Sequence, residues 1–142
     1  MTDIKEKVII VHLNRNDSEE VVEDKLDELE ELVRSSGGQV EARVIQNANR
    51  VNATYYVGKG KAEEIKELAE SLEVETVIFN NELTGSQMKN LEDVVDKKIV
   101  DRTGLILDIF AQRARTKEAK LQVKLAQLEY RLPRLVAAVL GS

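Results

Sequence analysis

The sequence predicts an α/β protein: a small four-stranded parallel sheet of order 2-1-3-4 with flanking helices, followed by an antiparallel α-helical hairpin. Three observations carry this. Up to Asp101, short apolar runs alternate with amphipathic helical stretches, the pattern of a parallel sheet joined by right-handed crossovers. Two of those runs are continuously apolar and two are not, which sorts central strands from edge strands. Beyond Asp101 the strand signals stop, and leucines recur at helical spacing.

Val8-Ile-Ile-Val-His-Leu13 is nearly continuously apolar and reads as a strand buried on both faces. Ser18 caps a helix with Val22, Leu26, Leu29 and Val33 on one stripe and acidic residues outside, and Gly37-Gly38 end it. Gln39–Ile45 alternates polar and apolar, as an edge strand does. After nine irregular residues comes Tyr55-Tyr-Val-Gly58-Lys-Gly60, and a helix near 60–72 carries Ala62, Ile65, Leu68, Ala69 and Leu72 on one side. Val74–Phe79 is a second buried strand, Thr84 opens a helix through Met88, Leu91, Val94 and Val95, and Lys98–Asp101 is a short edge strand.

Arg102–Ala114 reads as a helix with Leu105, Ile106, Ile109 and Phe110 apolar. Leu121, Leu125, Leu128, Leu132, Leu135 and Val139 then form a heptad seam, which favours packing against another helix. A turn near Arg115-Thr116 makes the two segments a hairpin. The first helix is too short to cover the whole seam, which leaves two readings for 121–139: packing on that helix and on a further domain of a larger protein, or self-association of the exposed part. Pro133 removes a helix hydrogen bond and crowds the preceding turn, so the second helix is expected to kink or end near Leu132. The division is thus a body over 1–101 and a hairpin over 102–142, with its tip near 113–120.

Charge follows the same division. Residues 1–101 hold 13 Lys and Arg against 23 Asp and Glu, net −10; residues 102–142 hold 8 against 3, net +5. The absence of cysteine excludes disulfides and thiolate metal sites and suits a reducing cytoplasm. The N-terminal residues are charged and no apolar run is long enough to span a bilayer, so a cytoplasmic protein with no membrane partner is expected.

The leading candidate site is the tip: Arg113, Arg115, Lys117, Lys120 and Lys124. Several cations on a projection can neutralise phosphates, and guanidinium planes can stack on splayed bases; the alternative is a solvated helix face. A second candidate is Gly58-Lys59-Gly60-Lys61, where backbone amides at a helix start with lysines nearby can hold an anion or nucleotide; the alternative is a flexible turn. The third is the crevice at the carboxyl ends of strands one and three, expected to gather His12, Asn14, Asn16, Asp17, Asn80, Asn81 and Glu82. Turn and cap chemistry accounts for most of these types, and no catalytic residue or metal ligand is assigned.

Tyr56-Val-Gly-Lys-Gly-Lys-Ala-Glu-Glu-Ile65, Asp101-Arg-Thr-Gly-Leu-Ile-Leu-Asp-Ile-Phe-Ala-Gln-Arg113, Lys120-Leu-Gln-Val-Lys-Leu-Ala-Gln-Leu128 and Leu132-Pro-Arg-Leu135 resemble the N-terminal domain of HflX-type GTPases, from about residue 6 to residue 135. The resemblance implies an α/β unit and helical hairpin that docks on ribosomal RNA of the large ribosomal subunit, beside a GTPase domain in cis. In that family the complete protein separates stalled or idle subunits, and GTP and magnesium belong to the GTPase domain. No Gly-x-x-x-x-Gly-Lys-Ser/Thr phosphate loop occurs in the 142 residues, so no enzymatic activity and no cofactor are expected of this chain itself. Two other functions compete: a nucleotide- or small-ligand-binding α/β domain using Gly58–Lys61 or the crevice, and a dimerisation module built on the seam.

Overall fold

Val8 to Leu13 are all buried, and they form the middle of β1 (Glu6–Asn14) in a computed structural model that describes residues 5–140. Helix α1 (Glu19–Ser35) starts at Ser18, whose hydroxyl accepts from the Val21 amide, and it buries Val22, Leu26, Leu29 and Val33. Burying side chains of that size stabilises by roughly 1.5–3 kcal/mol each, far more than the cap. The chain then forms β2 (Gly38–Asn47), α2 (Lys59–Leu72), β3 (Thr76–Phe79), α3 (Gly85–Val95) and β4 (Lys98–Asp101). Two helices follow, α4 (Arg102–Arg113) and α5 (Lys117–Leu140).

All strand pairs are parallel and the order is β2-β1-β3-β4, as the burial pattern predicts. The alternation of side chains along β1 divides the core. Val8 and Ile10 point to the face covered by α1 and α4, where they meet Leu26, Leu29, Leu105 and Ile109. Ile9, Val11 and Leu13 point to the face of α2 and α3, against Ile65, Ala69, Leu91 and Val95. Helix α4 is therefore a layer of the body as well as one arm of the hairpin. Strand β3 is shorter than the apolar run suggests: Val74 is buried, but it lies before the ladder.

The structure corrects two expectations about the last helix. Helix α5 does not end near Leu132; it runs through Pro133 to Leu140. Pro133 is exposed, so water can satisfy the carbonyl one turn earlier. Beyond it the helix is held to the body, because Gly85 admits Arg134 and Ala137 so closely that a Cβ there would lie 2.8 Å from the Ala137 Cβ.

The second correction concerns the leucines. Gly104, Leu107 and Asp108 of α4 face Gln127, Tyr130 and Arg131 of α5 across a cleft of about 230 Å³. The side of α5 that is half-buried runs through Ala119, Val123, Ala126, Tyr130, Arg134 and Ala137. At 100° per residue the heptad seam lies opposite this side. Leu121, Leu125, Leu128, Leu132, Leu135 and Val139 are accordingly 56% to 76% exposed, and α4 covers none of them. A small-residue and polar stripe, not the leucines, fastens α5 to the body.

Candidate nucleic-acid interface

Helix α4 leaves the carboxyl edge of β4 and runs back along the sheet. Near its far end, the Gln112 side-chain amide donates to the Ser36 carbonyl at 3.2 Å, beside the start of β2. Arg113 closes α4, the extended Ala114 turns the chain, and the Thr116 hydroxyl accepts from the Ala119 amide at 3.0 Å to start α5. Arg113, Arg115, Lys117, Lys120 and Lys124 thereby gather at the amino end of the sheet, all exposed.

The electrostatics of this end differ from those of the body. In the body Lys25, Arg34, Arg43, Lys61, Lys89 and Lys97 each sit within 4 Å of a carboxylate, as does Arg102 at the start of α4. Lys5, Lys7, Arg15, Arg50, Lys59, Lys66 and Lys98 have no such neighbour among the described residues; the body differs by its excess of acids, net −10 over residues 1–101. Arg43 alone joins Glu23, Asp27 and Glu30 of the acidic α1 face. Among the described residues none of the five tip cations has such a partner. Lys117 and Lys120 also occupy the first turn of α5, where the positive end of the helix disfavours cations. These residues oppose local helix stability, so their number is not explained by folding.

The hairpin is fixed at its other end by a group that sequence reasoning missed. Asp101, fully buried, caps α4 by accepting from the Gly104 amide at 2.9 Å. It accepts from the Leu83 amide at 2.9 Å and from the Tyr130 hydroxyl of α5. Burial and the adjoining Asp101 carboxylate push the Tyr130 hydroxyl well above its ordinary pKa. Arg134 lies over the Tyr130 ring at 3.8 Å and donates to the Leu83 carbonyl at 3.0 Å. The only sequence signal is a Tyr and an Arg four residues apart on the face opposite the leucines.

Gly58–Lys61 lies elsewhere, at the start of α2. The Gly58 amide donates to Gln46 at 2.9 Å, Lys61 pairs with Glu64 at 3.0 Å, and Lys59 and Gly60 are exposed. Since α2 begins after the carboxyl end of β2, this segment and the basic tip occupy opposite ends of the molecule.

The strand-end residues do not form one cluster. Asn14 turns toward β2, bonding Asn47 at 2.9 Å and the Asp17 carbonyl at 3.0 Å, and Glu82 pairs with Arg134. His12 is buried, with Nδ1 at 3.1 Å from the Asn80 amide nitrogen. The Asn80 oxygen accepts from Arg102, which fixes the amide, so His12 Nδ1 must accept and Nε2 carries the proton. Burial first, and then Lys25, lower its pKa, partly opposed by Asp17. The folded state thus binds this proton more weakly than the unfolded state, whose histidine titrates near 6.5. Stability is full above about pH 6.5 and falls as the pH drops below it. Since this is the sole histidine, denaturant midpoints at pH 7 and pH 5 should differ in the parent and converge in His12→Asn.

Sheet, capped helices and cation-tipped hairpin match the N-terminal and middle parts of a multidomain GTP-binding protein. Residues 23–111 match the family described as GTP-binding GTPase N-terminal, and residues 113–141 match the GTP-binding GTPase middle region. The chain belongs to the HflX family of GTPases. It is 52% identical over 132 residues to GTPase HflX of Caldanaerobacter subterraneus, covering 93% of this chain and 30% of that protein. With GTPase HflX of Escherichia coli it shares 41% identity over 134 residues, 94% of this chain and 31% of the relative. Among solved structures, SsGBP in complex with GDP superposes with a TM-score of 0.72 at 27% identity, over 95% of this chain and 38% of that one. A GTP-binding protein of Sulfolobus solfataricus, also with GDP, gives 0.69 at 27% identity, over 94% of this chain and 39% of that one. The chain therefore spans about a third of the length of these relatives. No helix among the described residues is long and apolar enough to cross a membrane.

Proposed function

We propose that this chain is the ribosome-docking part of an HflX-type GTPase, and that its basic tip contacts ribosomal RNA of the large subunit to aid subunit dissociation or rescue. The observation that carries the reading is the group of five exposed cations without carboxylate partners among the described residues, at one end of a body that is net −10 over residues 1–101. Repulsion between the acidic body and RNA orients the approach tip-first, and the attraction grows as the tip nears phosphate. The action is mechanical: a rigid projection occupies an RNA cavity and competes for its contacts.

GTP and magnesium, which the family name implies, find no phosphate loop in this sequence. Gly58–Lys61 lacks the loop's spacing, and its Lys61 is engaged by Glu64. Nucleotide chemistry is assigned to a GTPase domain in cis, and the exposed leucine seam is the surface of this chain suited to pack against the rest of such a protein.

Co-sedimentation with purified large ribosomal subunits across a salt series tests the reading. Five phosphate contacts make affinity fall roughly a hundredfold between about 50 and 200 mM salt. No binding at low salt, or binding indifferent to salt, would remove the RNA-docking model.

A further inference from the structure

We propose that the tip engages unpaired nucleotides rather than duplex, with Phe110 as a base-stacking platform beside Arg113. This rests on the RNA-docking reading and adds the class of RNA that is recognised. The sequence contains two phenylalanines, and they have opposite fates. Phe79 is fully buried in the core, whereas Phe110 is 56% exposed on the last turn of α4. Inward packing of α4 is supplied by Leu105 and Ile109, so Phe110 is not needed to hold the helix on the sheet.

Among the described residues the Phe110 ring has no aromatic partner and no cation over it. Arg113 follows three residues later and lies on the same helix face, with Cβ atoms about 5–6 Å apart. Arg115 and Lys117 follow across the turn. A protein partner seated on this ring would have to desolvate the unpaired Arg113 on the same face, and the further cations just across the turn if it extended there, which is costly. RNA neutralises them instead.

The flat ring decides between kinds of RNA. An A-form duplex offers phosphates and a shallow groove, with its bases stacked and closed to a side chain. An unpaired nucleotide offers a π-face for the ring while its neighbouring phosphates meet the cations. A solvent-exposed aromatic one helical turn before a run of exposed cations matches the second geometry.

The test uses the full chain with a short single-stranded RNA carrying 2-aminopurine, a blunt duplex of equal length, and the variants Phe110→Leu and Phe110→Trp. Leucine preserves apolarity and removes the π-face. Phe110→Leu should weaken single-strand binding about tenfold and abolish the 2-aminopurine fluorescence change. It should leave duplex binding and the melting temperature unaltered, and Phe110→Trp should restore both signals. If Phe110→Leu binds single strands like the parent, weakens both RNAs equally, or lowers the melting temperature, the stacking role is wrong. If that happens while tip-charge variants still lose binding, RNA docking stands and only this inference falls. If the parent binds neither RNA, both fall.

Discussion

Replacing Arg113, Arg115 and Lys117 together with glutamate should abolish binding to large ribosomal subunits and leave the melting temperature within a few degrees of the parent. The two halves of this expectation have separate causes. None of the three forms an ion pair among the described residues, so no folded-state contact is lost. Lys117→Glu puts an acid at the positive end of α5, and Arg113→Glu puts one at the negative end of α4. These effects, about 0.3–1 kcal/mol each, have opposite sign and nearly cancel. Binding suffers twice, because three attractive charges become three repulsive ones beside phosphate. At about one decade for each lost charge-assisted contact, the loss is roughly a thousandfold before repulsion is counted. Sedimentation with subunits and a thermal melt read the two halves separately. Unchanged affinity would discard the tip as the docking site, and a collapse in melting temperature would make these residues structural.

Asp101→Ala should be the most damaging single polar substitution in the chain, at about 3–5 kcal/mol. Its carboxylate has zero exposure and serves the Leu83 amide, the Gly104 amide and the Tyr130 hydroxyl at once. Alanine removes the α4 cap, worth about 1 kcal/mol, and strands a buried amide at about 1–3 kcal/mol more. It also deprives Arg134, 3.6 Å away, of a buried counter-charge. Tyr130→Phe removes one of these bonds and should cost about 1 kcal/mol, the ordinary net value of a hydrogen bond. Denaturant unfolding of the two variants decides the matter. Equal costs would mean that Asp101 acts through Tyr130 alone and not as a junction of three elements.

The body was legible because its signals are local. Ser18 with Val22, Leu26, Leu29 and Val33 specifies one buried stripe and its start, and Thr84 with Gln87 forms a reciprocal cap at α3. Strand order followed from comparing the apolar Val8–Leu13 run with the alternating Gln39–Ile45 run. The hairpin was legible only in part, since an apolar stripe shows that a covering surface is needed without showing which one. Heptad spacing points the leucines partly toward α4, whereas α4 meets the opposite side of α5. Tyr130 and Arg134 leave little sequence signal of their anchoring role, because polar residues on the outer side of a heptad read as solvated. Their partner, Asp101, is distant in sequence from both. Pro133 does not end α5 because the contact of Arg134 and Ala137 with Gly85 holds the helix beyond it, and a tertiary clamp of this kind leaves no trace in local propensity. Of the candidate sites, the five tip cations are all exposed about the α4–α5 turn, and the strand-end group divides among neighbours.

The two-sided construction of α5 has a thermodynamic consequence. The side anchored through Tyr130, Arg134 and Ala137 and the side bearing Leu121 to Val139 are separated by the width of a helix, about 10 Å, and share no partner. Perturbations that far apart usually sum within a few tenths of a kcal/mol. Whatever covers the leucines can therefore gain its full association energy without loosening the anchor. The anchor can in turn be weakened without changing what the leucines offer. A single helix thus carries two separable free-energy terms, one internal to the body and one available to the outside.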